Sequence, residues 1–153
     1  MKTQDPASPM PSPDEGLFDA LVASAFVTIA VINKIGAEHD LSLSLVRVLG
    51  ILWDRRPRMT ELADYLGLEK QTMSGLIARA EKRGLVARAR NKEDRRATDV
   101  FLTDEGIKLV KHLRTQGRQA LTPIIEGLGA SDQRCLQELL LRMLESRTRD
   151  VNR

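Results

Sequence analysis

Between Lys70 and Arg96 nine Lys/Arg stand against three Asp/Glu, a net +6, in a 153-residue chain whose total is only +3. Such segregation suits binding a polyanion rather than making bonds, because guanidinium and ammonium groups neutralise phosphates. Two neighbouring groups of residues carry it. In the first, Gln71, Ser74, Gly75 and Ala78 share one face of an expected helix, flanked by Lys70, Arg79 and Lys82, while Met73, Leu76, Ile77 and Ala80 recur at helical spacing on the other. Small residues let a backbone approach a groove floor, polar ends reach base edges, and cations meet phosphates. Free N–H groups of the first turn favour an anion as well. In the second group, Arg88, Arg90, Lys92, Arg95 and Arg96 lie along an expected hairpin whose turn Asn91 and Asp94 shape. An arginine at a hairpin tip is suited to the narrow, electronegative minor groove. Each group alone has a plainer reading, a generic helix pair or a tip charged for solubility. Their succession favours duplex DNA.

Positioning these residues takes a mainly α fold with a small β-hairpin. Residues 1–13, with prolines at 6, 9, 11 and 13, read as a disordered or extended tail. A first helix opens at Asp14 and Glu15, carries Leu17, Leu21, Val22, Ala25, Phe26, Ile29 and Ile32, and ends near Gly36. Its apolar side is broader than one core contact requires. Ser42 or Ser44 caps a second helix holding Leu45, Val48, Leu49, Leu52 and Trp53, and Pro57 stops it. A short third helix over 60–66 ends at Gly67, and a fourth over 69–83 ends at Gly84, both as left-handed caps. Leu85–Ala89 and Ala97–Leu102 alternate as strands, with Val100 and Leu102 inward. Thr103 with Asp104 and Glu105 starts a long fifth helix that Pro123 kinks or breaks before about Gly127. Ser131 caps a sixth, striped with Leu136, Leu139, Leu140, Met143 and Leu144.

Other function classes find little support. Two histidines, one cysteine and no clustered carboxylates offer neither metal-ligand spacing nor a triad, and no glycine loop cradles a phosphate. No enzyme activity, metal or cofactor is expected. Leu17–Ile32 is interrupted by Asp19, Ser24 and Thr28, so no membrane span is expected. Cys135 has no internal partner, which fits a reducing cytoplasm.

The succession ELADYLGL, QTMSGLIARAEKRGLVAR, EDRR and FLTDEG resembles the winged helix-turn-helix of the MarR family of bacterial regulators over about residues 45–110. Asp94-Arg95-Arg96, Leu102-Thr103 and the KRGLV of Lys82–Val86 are the most specific pieces. The resemblance implies a homodimeric repressor on a roughly palindromic operator. It divides the chain into a dimerisation helix over 14–40, a winged helix-turn-helix over 41–103 and dimerisation helices over 104–150. It also implies that Lys70, Gln71, Thr72, Ser74 and Arg79 contact DNA from the recognition helix, that Arg96 enters the minor groove with Asp94 orienting it, and that Arg95 meets phosphate. Lys92 stands where many members have proline, Glu69 where Ser or Asp is common, and Ala80 where leucine is frequent.

Many members release DNA on binding small anionic aromatic compounds beside the dimer helices. The candidates for such a pocket are His39, Arg47 and Trp53, each with a plainer role as cap or surface residue, ion-pair partner and core residue. Cys135 reads as a small hydrophobe on the final helix, and a thiol-redox regulator acting through it is one alternative. A winged helix that binds protein rather than DNA is the other. Its groove face should then be apolar or acidic, and this one is basic.

Overall fold

The computed structural model describes residues 12–151, so the expected tail lies outside the described residues except for Ser12 and Pro13. Those two open α1 (Pro13–Glu38). The Ser12 hydroxyl accepts from the Glu15 N–H while the Glu15 carboxylate accepts from the Ser12 N–H, so a capping box satisfies donors the first turn leaves free. The helix runs past Gly36 because that glycine is a packing site, not an end. A Cβ there would sit 2.9 Å from Val46 Cγ2 and 3.1 Å from the Leu41 carbonyl oxygen.

α2 (Leu43–Leu52) is capped by Ser42, whose hydroxyl accepts from Leu45 N–H at 3.2 Å. α3 (Met59–Leu66) ends at Gly67 with φ 63°, and α4 (Lys70–Lys82) leads to Gly84 with φ 72°. Both glycines hold the left-handed geometry that closes a helix at little cost. Leu85, expected in a strand, instead donates its N–H to Ala80 and completes the end of α4. The strands are β1 (Val86–Arg90) and β2 (Thr98–Leu102), antiparallel from Val86↔Leu102 to Arg90↔Thr98. A bridge between Arg58 and Asp99, with Val100 N–H donating to the Pro57 carbonyl, fastens β2 to the segment before α3.

α5 (Asp104–Ile125) begins where Thr103 does two jobs: its hydroxyl donates to the Gly84 carbonyl and accepts from Gly106 N–H. Any side chain at Gly106 would overlap the Leu85 carbonyl, so glycine lets the first turn of α5 lie against the α4–β1 link. Pro123 falls inside α5, which continues to Ile125. A proline two residues from a helix end displaces one hydrogen bond rather than a whole turn. α6 (Ala130–Val151) takes in Ser131 as its second residue, so the serine does not cap it. The Gly129 carbonyl accepts the first helical bond, from Gln133 N–H, and the Gln133 side-chain amide donates to the Leu128 carbonyl.

The chain divides into two compact units, one ending at Leu113 and the other starting at Arg114, a boundary inside α5. The first unit contains a dry core in which Val48, Leu49, Leu62, Met73, Ile77 and Val100 are fully buried. By length and composition alone, α1 is apolar enough to cross a bilayer. Ser24 and Thr28 interrupt it less than their types suggest, because their hydroxyls donate back to the Ala20 and Ser24 carbonyls at 2.7 and 2.8 Å.

Candidate nucleic-acid interface

α4 sorts its residues by role. Met73, Leu76, Ile77 and Ala80 are buried, while Lys70, Gln71, Thr72, Ser74, Gly75, Ala78, Arg79 and Lys82 are exposed. Glu69 caps the helix through its backbone alone, so its carboxylate does not occupy the N–H groups of the first turn. Around Gly75 nothing lies within 4 Å of where a Cβ would be, and the middle of this face is open. The other end of the helix is anchored: Arg83 forks its guanidinium onto the Asp40 and His39 carbonyls at 2.8 and 2.9 Å.

The hairpin presents Arg90, Lys92, Arg95 and Arg96 to solvent, with Asp94 half-buried. The Asp94 carboxylate accepts from the Arg96 backbone N–H at 3.0 Å, which ties it to the arginine through the main chain. Arg88 is not a free tip cation. It sits in β1 with its Nε 2.7 Å from Glu81 of α4, tying the hairpin to the helix that precedes it.

Sequence reasoning passed over the run Arg55-Arg56-Pro57-Arg58, three arginines in four residues beside β2. Arg55 donates to the Asp54 carboxylate and to the Tyr65 hydroxyl, which raises its guanidinium above the ordinary range. Arg58 pairs loosely with Glu61 at 3.9 Å.

His39 meets the His112 ring edge-on, with centroids 5.3 Å apart, Trp53 packs half-buried on the core, and Arg47 is exposed. His112 of α5 was not expected beside His39, since nothing in the sequence pairs positions so far apart. Cys135 is exposed rather than tucked into a core. Among the described residues no group of three or more His, Cys, Asp or Glu is placed to hold a metal ion.

An exposed polar helix face followed by an arginine-tipped hairpin is the geometry of a winged helix-turn-helix. The sequence model of the MarR family matches residues 39–97, across α2, α3, α4 and most of the hairpin. HTH-type transcriptional regulator YfiV of Bacillus subtilis (strain 168) is 30% identical over 111 residues, 70% of this chain and 69% of the relative. The chain belongs to the MarR family. It is a winged helix-turn-helix, DNA-binding transcriptional regulator and not an enzyme. The MarR likeness extends to HTH-type transcriptional regulator TtmR of Methylorubrum extorquens (strain PA1), 33% identical over 94 residues, 61% of this chain but only 48% of TtmR. Among solved structures, a MarR regulator from Methanosarcina mazei Go1 superposes with a TM-score of 0.75 at 23% identity, covering 88% of this chain and 98% of that one. NadR in complex with 4-hydroxyphenylacetate superposes with a TM-score of 0.69 at 25% identity, covering 94% and 97%.

Proposed function

We propose that the chain is a cytoplasmic, homodimeric, sequence-specific repressor whose two recognition helices enter successive major grooves of a roughly palindromic operator while the wings enter the flanking minor grooves. The observation that carries this reading is the exposed face of α4, with Gln71, Thr72, Ser74 and Gly75 between Lys70 and Arg79 and the Arg95-Arg96 tip following. A face of that composition has no packing to do inside the chain and fits a groove. Homodimerisation is supported by apolar residues that one chain leaves uncovered: Leu17, Phe18 and Phe26 of α1 and Leu141, Met143 and Leu144 of α6. A second copy covering α1 also accounts for its membrane-like composition without a membrane. The test is binding to duplex from upstream of the chain's own coding region, in a salt series beside a scrambled duplex. Strong preference with a steep salt slope supports the reading. Equal, weak binding to both would count against it and favour a winged helix that serves a protein partner.

The regulation we propose is release from the operator by a small aromatic anion. NadR was solved with 4-hydroxyphenylacetate, which supports that ligand class here. His39, Arg47 and Trp53 are the residues proposed to meet it. Trp53 is the chain's one tryptophan, so its fluorescence reports directly. Titration of 4-hydroxyphenylacetate should quench it and weaken operator binding together. A thiol switch at exposed Cys135 is the competing regulation, and operator affinity unchanged by peroxide would remove it.

A further inference from the structure

Asp99 is a charged residue buried in β2, 8% exposed, with its side chain facing polar partners rather than solvent. Burying a carboxylate is costly unless its oxygens are satisfied, and here each one faces a donor. Asn91 Nδ2 donates to Oδ1 at 2.8 Å, and Arg56 Nε lies 3.7 Å from Oδ2. Arg56 is itself held with its guanidinium carbon 3.9 Å from the centre of the Phe101 ring. Opposite Asp99 in the ladder stands Ala89, a side chain too small to displace the network.

The polarity of these groups has a consequence at the tip. A carboxylate only accepts, so Asn91 must turn its NH2 toward Asp99 and its carbonyl away. That carbonyl then accepts the backbone N–H groups of Glu93 and Asp94 at 3.0 and 2.9 Å, setting the turn. Asp94, so placed, accepts from Arg96 N–H. A flipped Asn91 would set its NH2 against two N–H donors and its oxygen against a carboxylate.

We propose that Asp99 is a positioning residue for DNA binding, acting through Asn91 and Asp94 to fix the direction in which the wing presents Arg96. This rests on the reading of the wing as a DNA contact. Asp99 is not proposed to touch DNA: it is buried in β2 and acts through two intervening hydrogen-bonded residues, Asn91 and Asp94.

The experiment uses the full chain and a duplex selected by the wild type from a random pool. Asn91→Asp sets two carboxylates against each other and should weaken binding about tenfold or more, the loss of one groove contact. Adding Asp99→Asn to that variant rebuilds the same hydrogen bonds with donor and acceptor exchanged and net charge unchanged. The exchanged pair should recover affinity to within about threefold of wild type. In an Arg96→Ala background Asn91→Asp should do nothing further, an outcome that a merely structural role would not produce. Melting curves confirm that each variant is folded at the assay temperature. Should Asn91→Asp leave affinity unchanged, should the exchange fail to rescue it, or should the losses of Asn91→Asp and Arg96→Ala simply add, the positioning role is overturned. A wild type that selects no duplex overturns the DNA reading of the wing, and this proposal with it, a failure distinct from the other three.

Discussion

The buried core of the first unit and the long helices α1 and α6 use the same residue types to different ends. In that core leucine, isoleucine, valine and methionine disappear from solvent: Leu49, Leu62, Met73 and Ile77 are wholly covered by their own chain. On α1 and α6 the same kinds of residue stand open, Phe26 at 69% and Leu144 at 61% exposure. The contrast separates a finished core from apolar faces that this chain leaves open, the surface on which the proposed dimer rests. Hydrophobicity read along the sequence does not make that distinction, because it records how much apolar surface exists and not whether one chain is enough to bury it.

The contrast is open to direct attack. Leu49→Ala should cost about 2–5 kcal/mol in denaturant unfolding, since its cavity has no solvent to relax into. A loss below about 1 kcal/mol would mean the core is looser than its burial implies. Phe26→Glu, at an exposed position, should leave the first unit folded by circular dichroism yet move the chain from dimer to monomer in sedimentation, raising the dimer dissociation constant about a hundredfold. A wild type already monomeric at micromolar concentration breaks the comparison. Gly75→Ala sharpens it from the other side. Space is open there and glycine is a poor helix former, so stability should rise by about 1 kcal/mol while operator affinity falls. Smallest should be Glu81→Gln, which releases Arg88. Both partners are about one-third exposed, so solvent screening holds the stability loss to under about 1 kcal/mol, measured by thermal melting.

Most of the fold was legible because its punctuation is local. Gly67 and Gly84 end helices through their own backbone angles, and Ser42 and Thr103 cap with their own hydroxyls. The face of α4 followed from spacing alone. What escaped were features made by distant partners. Gly36 looked like an end because Val46, which packs on it, is invisible in a window around it. Ser131 looked like a cap, but the helix begins one residue earlier, with the Gly129 carbonyl already accepting from Gln133 N–H. His112 came to His39, and Glu81 to Arg88, through the tertiary fold. Asp99 stands where the alternation turns side chains outward, so its burial was not legible, and its meaning lay in Asn91, eight residues earlier in the hairpin.

The Arg83 fork bears on how this protein divides. It reaches across 43 and 44 residues of sequence to hold two consecutive carbonyls at the end of α1, where Leu41 N–H also returns to the Gly36 carbonyl. The last turn of α1 is therefore part of the scaffold behind the recognition helix. A fragment begun at Leu41 would keep every fully buried core residue and still lose the anchor of that helix. The reading head is not a cassette: a graft onto another protein must bring the end of α1 with it.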